Sequence, residues 1–254
     1  MTALLEVENV SIQFGGLKAV EKVSLTAESG QVTSIIGPNG AGKTTLFNAI
    51  TRNVHIREGS IRLNGREISQ LTPLQITGCG IRRTFQNGGL FGQLTAIENI
   101  LIGLHTEISS GFFETLLCRQ NGREQERAAL KRARELLAEF EINVPEDVPV
   151  EQLSGGEQRL IEIARAWCTG AQLLMLDEPA VGLSPPVRAK VLDAIRNIAV
   201  NKGIGVLMIE HTMEMVLKGS DKIIVLNGGK LLASGSPTEI REDRTVAEAY
   251  LGYV

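Results

Sequence analysis

The run Gly37-Pro38-Asn39-Gly40-Ala41-Gly42-Lys43-Thr44-Thr45 carries the pattern G-x-x-x-x-G-K-[ST], whose chemistry is the capture of a chain of phosphates. Glycines at 37, 40 and 42 let the backbone fold around an anion without Cβ clashes, so that successive N–H groups point inward. Lys43 is placed to reach the β and γ phosphates, Thr44 to offer its hydroxyl to Mg²⁺ and Thr45 to touch the α phosphate. The pattern needs a strand before it and a helix after it. The apolar run Gln31 to Ile36 and the stretch Lys43 to Ile50 meet that requirement, and the helix N-terminus adds partial positive charge at the anion.

Two further segments hold groups that act on phosphates. LLMLDEP reads as a strand ending in Asp177 and Glu178. Strand side chains alternate, so the neighbouring acids take different jobs: Asp177 holds a metal through water while Glu178 faces an attacking water. LSGGEQR, Leu153 to Arg159, places Ser154, Gly155 and Gly156 at a second helix N-terminus rich in free amides, suited to another phosphate contact. Two anion sites imply two protein faces.

The elements that position these groups follow an α/β pattern of short apolar runs alternating with amphipathic stretches. Leu5, Val7, Val10, Ile12 and Phe14 suggest an early strand with a kink. Leu173 to Leu176, Ile204 to Ile209 and Ile223 to Leu226 are short enough for buried strands. Asn64-Gly65 and Asn227-Gly228-Gly229 mark hairpin turns. Glu124 to Phe140, with Ala129, Ala133, Leu136, Leu137 and Phe140 at helical spacing, belongs to a helical insert running from about Asn87 to Leu153. Pro145 and Pro149 link that insert back to the strand-rich part.

Composition limits what else the chain does. At 254 residues with 43% apolar and 22% charged content, it is long enough for a substantial core in one large domain, or in a domain with an insertion. A net charge of -3 lacks the basic surplus of a nucleic-acid binder. Cys79, Cys118 and Cys168 are far apart, with no C-x-x-C pair, so neither a disulfide framework nor a thiolate metal site is indicated, as expected of a reducing compartment. No export signal and no membrane span is expected.

A phosphate loop, an LSGGE signature and LLMLDE in this order resemble the ATP-binding subunits of ABC transporters, over nearly the whole chain. The resemblance implies the ABC ATPase fold: an α/β P-loop NTPase core with an antiparallel β subdomain (1–86 and 154–254) and an inserted α-helical subdomain (87–153). Phe14 then matches the aromatic that stacks on adenine, Gln86 in RRTFQ the Q-loop glutamine that contacts metal or water, and His211 in MIEHTM the switch histidine beside the γ phosphate. Taken alone, Phe14 would read as a core residue and His211 as a strand-end histidine; their positions relative to the three motifs reverse that.

FGGLKAV, RTFQ, LFGQLTAIENILIGLH, SGFFETLLC and the closing VAEAYLG are similar to the ATPase subunits of branched-chain amino acid importers. The resemblance implies ATP and Mg²⁺, with two subunits joined head to tail so that one chain's Lys43 loop faces the other's Ser154 to Gly156. It also implies permease subunits, an extracytoplasmic substrate-binding protein, and a peripheral position on the cytoplasmic face of the inner membrane. Glu178 and His211 are both candidates for activating water, with Lys43 stabilising the phosphates. Leu90, Phe91 and Leu94 are expected to dock a permease helix, burial within the insert being the competing reading. Urea, short amides or other apolar amino acids are alternative substrates, and lipid or lipopolysaccharide exporters share similar motifs and a similar C-terminal ending, with the long insert arguing against them. A soluble ATPase of DNA repair or translation fits less well, since the chain has one cassette and no coiled-coil arm. Ser184, in PAVGLSPP, departs from the aspartate of many family members.

Overall fold

The computed structural model describes residues 3–84, 89–108 and 122–251. The chain opens with two long antiparallel strands, β1 (Leu5–Phe14) and β2 (Leu17–Ala27). β1 bends where Asn9 takes a left-handed φ of 48° and the register slips between Val7 and Val10, the expected kink in the form of a bulge. β4 (Glu58–Leu63) and β5 (Arg66–Glu67) extend this sheet in the order β2-β1-β4-β5. They turn at Asn64-Gly65 with φ of 50° and 74°, as an Asn-Gly hairpin requires.

The second sheet is built from all-buried strands. β3 (Val32–Ile36), β7 (Leu173–Asp177) and β8 (Gly205–Ile209) are buried at every residue, because helices cover both faces of a parallel sheet and no strand side faces water. With β6 (Ile81–Arg83), β9 (Lys222–Asn227) and β10 (Lys230–Gly235), the order is β10-β9-β3-β8-β7-β6. Only β10 is antiparallel, at the edge, joined by the Asn227–Lys230 hairpin.

Helices fill the space around both sheets. α1 (Lys43–Ile50) buries Leu46 and Phe47 between the sheets, and α2 (Pro73–Gly78) is capped by Thr72 in a reciprocal box with Gln75. α3 (Ala96–Ile108) and α4 (Gly122–Glu139) pack Ile97 and Ile100 against Ala133, Leu136 and Leu137. A 3₁₀ turn, Val150–Gln152, leads to α5 (Gly155–Trp167), and α6 (Pro185–Lys202) packs on α5. The chain closes with α7 (Met213–Gly219), α8 (Pro237–Glu242) and α9 (Arg244–Leu251). Among the described residues no helix is long and apolar enough to cross a membrane.

Candidate functional site

The sheet puts its loops on one rim. β3, β8 and β7 run in parallel, with Ile35 opposite Ile209 and Ile209 opposite Asp177. The segments after them therefore leave at the same height, at the carboxyl ends of the strands where ligands bind in open α/β sheets.

The phosphate loop follows β3. Gly37 has φ 152°, and a Cβ there would lie 2.1 Å from the Leu226 carbonyl oxygen; at Gly42, with φ 96°, it would lie 2.5 Å from that of Ala19. The loop is thus wedged between β9 and β2 by two close approaches that any side chain would obstruct. Gly42 caps α1 without any side-chain bond, which leaves the first-turn amides free for a ligand. Asn39 and Gly40 are exposed at the tip, while Ala41 is buried and donates its N–H to the Pro38 carbonyl at 3.1 Å. Lys43 runs back under the loop, its Nζ donating to the carbonyls of Gly37 at 2.6 Å and Pro38 at 3.0 Å. Burial pushes the ammonium below the ordinary lysine range, against the opposing pull of Glu178 and Asp177.

A cavity of about 490 Å³ opens above the loop, lined among others by Phe14, Asn39, Gly40, Ala41, Lys43, Thr44, Thr45, Glu178 and His211. Phe14 is 51% exposed at the end of β1. It is not a core residue.

Asp177 and Glu178 take different surroundings, but not through strand alternation, because the strand ends at Asp177. Asp177 is buried, and its Oδ2 accepts from Arg83 Nη2 at 2.8 Å. Arg83 also donates to Asn48 Oδ1 at 2.6 Å and stands over the Phe47 ring at 5.5 Å. Glu178 is turned out of the strand direction by a left-handed φ of 52°, a conformation that costs a non-glycine residue about 1–3 kcal/mol and persists only when its surroundings impose it. Its N–H donates to the Ile209 carbonyl at 3.0 Å, and its carboxylate meets His211 Nε2. Both side chains stay partly open to the cavity.

Ser154 caps α5, accepting the Glu157 N–H while the Glu157 carboxylate takes the Ser154 N–H at 2.8 Å and its hydroxyl at 2.7 Å. Ser154 and Gly155 are exposed, but Gly156 is buried: a Cβ there would fall 2.3 Å from Val187 Cγ1 on α6. Helix packing is thus a reason for this glycine that the motif alone did not reveal. These three residues are not among those lining the cavity above Lys43. Gln86 and the segment 110–118 lie outside the described residues. Ser184 precedes α6 as its N-cap and makes no side-chain cap bond.

The apolar surface expected after Gln86 is only partly present. Phe91 is 51% exposed, with the Arg165 guanidinium 5.6 Å over its ring, but Leu90 packs against the core and Leu94 is half-buried. Two site residues escaped the reading of the sequence, Arg83 and Glu210. The signal for Glu210 was available: an acid directly after the all-apolar run GVLMI lands in the core and must find donors there.

Comparison with known proteins matches residues 20–181 to the ABC transporter family, and residues 230–253 to a C-terminal segment described as branched-chain amino acid ATP-binding cassette transporter. The chain is 42% identical to the high-affinity branched-chain amino acid transport ATP-binding protein BraF of Pseudomonas aeruginosa, over 98% of each chain. It is 39% identical to the corresponding protein LivG of Escherichia coli, again over 98% of each. Among solved structures, the ADP conformation of an ATP-binding cassette from an ABC transporter superposes with TM-score 0.85 at 32% identity, covering 99% of this chain and 100% of that one. A cassette described as a dimeric post-hydrolysis state bound to ADP and Pi superposes with TM-score 0.74 at 25% identity, covering 92% and 98%. Shared motifs, a shared fold and identity along almost its whole length place the chain within the ABC transporter family, as one of its ATP-hydrolysing cassettes.

Proposed function

We propose that this cassette energises the uptake of branched-chain amino acids, working as a pair of ATPase subunits on the cytoplasmic face of the membrane beneath permease subunits fed by an extracytoplasmic binding protein. The observation that carries the substrate class is the match of residues 230–253 to the branched-chain cassette segment, a region apart from the motifs that all ABC ATPases need. The 42% identity along 98% of the chain to BraF supports this reading over the lipid exporter and urea importer alternatives.

ATP enters the cavity with adenine on Phe14 and phosphates in the Gly37–Thr45 loop. Lys43 exchanges its bonds to the Gly37 and Pro38 carbonyls for β and γ phosphate oxygens, which relieves its burial without a charged partner. The oxygens that would hold Mg²⁺ are the Thr44 hydroxyl, which lines the cavity, and the Asp177 carboxylate, which would act through water because it is buried on Arg83; Gln86 would join them by resemblance. An ion held there would supply charge neutralisation at the phosphates. Glu178 orients the attacking water and draws on its proton, and His211 holds that carboxylate in place from the γ phosphate side. Ser154, Gly155 and Gly156 of a second copy close over the nucleotide, so that ATP joins the two chains and its hydrolysis releases them.

Uptake of radiolabelled leucine tests the substrate class. Cells lacking this chain should lose leucine import and regain it with the parent chain but not with E178Q. Unchanged leucine uptake alongside lost urea uptake would transfer the assignment to the other importer class.

A further inference from the structure

Glu210 is 0% exposed, and among the described residues no lysine or arginine pairs with it. A buried carboxylate without a cation is costly to keep. Its compensation comes from backbone amides of two different loops. Oε1 accepts the Ala180 N–H at 3.0 Å, and Oε2 accepts the His211 N–H at 3.1 Å. Ala180 lies two residues beyond Glu178, in a turn closed by the Val181 N–H on the Glu178 carbonyl at 3.3 Å. His211 and Thr212 begin the segment after β8.

We propose that Glu210 is a positioning residue for ATP hydrolysis: its buried carboxylate clamps the turn after β7 to the segment after β8, and so fixes the spacing between the Glu178 carboxylate and the His211 ring. The chemistry of the clamp requires an acid. Both oxygens face N–H donors, so both must be acceptors, whereas a glutamine would set its own NH₂ against one of those donors and release one loop. Glu178 has particular need of such support because its φ of 52° is held against its preference. A threonine or an apolar side chain at 210 could fill the volume without joining the two loops.

The test uses the full chain with E210Q, H211A and the double variant, followed by single-turnover ATP hydrolysis, steady-state kinetics and thermal melting. E210Q should lower kcat at least tenfold while KM for ATP moves less than threefold and Tm stays well above the assay temperature. If Glu210 acts through His211, adding E210Q to H211A should slow the single-turnover rate less than twofold further. A kcat for E210Q within twofold of the parent overturns the proposal. So does an equal loss in both backgrounds, or a loss that follows the melting temperature alone. Should E210Q not fold, E210D keeps two acceptor oxygens on a shorter arm and is judged by the same criteria.

Discussion

Arg83 and Asp177 form a nearly buried ion pair, Nη2 to Oδ2 at 2.8 Å, between the end of β6 and the end of β7. The guanidinium is further held by Asn48 and the Phe47 ring, so it ties α1 to the carboxyl rim of the sheet. Removing one partner of such a pair strands the other charge away from water. Arg83→Ala is expected to cost about 3–5 kcal/mol of stability, measured by urea denaturation, with Arg83→Lys intermediate because an ammonium replaces only part of the fork.

Glu178→Gln keeps the size of the side chain and a bond to His211, but loses the charge that activates water. ATP binding should persist and turnover should stop, trapping a dimer visible by size-exclusion chromatography with ATP. A variant that remains monomeric at saturating ATP would contradict a site shared between two chains.

Phe14 stands exposed at the mouth of the cavity, so truncation to alanine should leave folding intact and weaken nucleotide binding by about 1–3 kcal/mol, the range for base stacking on an aromatic face. Stacking does not read base edges, so calorimetric titration should show ATP and GTP affected alike.

Lys43 is charged in the unfolded chain throughout the neutral range, but burial lowers its value in the folded chain. The unfolded state therefore binds more protons, and stability should rise with pH between the lowered native value and about 10.4, the ordinary lysine value. Lys43→Met should remove that rise, melt no lower than the parent at pH 7, and lose all stabilisation by ATP. Melting curves from pH 7 to 10, with and without ATP, check all three.

Phe91→Ala should change the stability of the isolated subunit by no more than about 2 kcal/mol, since the ring is half exposed and its main partner is the half-buried guanidinium of Arg165. Transport in reconstituted complexes should nevertheless fall if the ring docks a permease helix. A loss of 3–5 kcal/mol would return Phe91 to the core.

The chemistry of this chain was more legible than its scaffold. The phosphate loop, Asp177 and Glu178 declare themselves because special backbone or charge requirements restrict which residues serve there, whereas His211 alone reads as a strand-end histidine and is assigned by resemblance. β2 carries Lys18, Glu21 and Lys22 on a half-exposed sheet face, interrupted by a left-handed Lys22 at φ 48°, so no clean alternation announces it. β6 is three residues long, too short for any periodicity. Arg83 was hidden for another reason: its partner Asp177 lies 94 positions away. The burial of Glu210 was readable from the apolar run before it, but its partner Ala180, 30 positions away, is brought to it only by the folded sheet.

The shared height of β3, β8 and β7 bears on how such a chain varies by descent. Ile209 is in register with Ile35 on one side and Asp177 on the other, so deleting one residue from β8 would move the His211 segment by roughly 3.3 Å against both neighbours and turn every side chain to the opposite face. A change of length should be better tolerated at the Asn64-Gly65 tip, where a Cβ on Gly65 would meet nothing within 4 Å, although Asn64 itself is tied to Leu4 and Gln172. The outwardly similar Asn227–Lys230 tip lacks that freedom, because Gly229 lies against Ala19 and donates its N–H to the Ala41 carbonyl at 3.2 Å. Of two hairpins written in nearly the same letters, one turns its glycine to open space and the other lines the cavity above the phosphate loop.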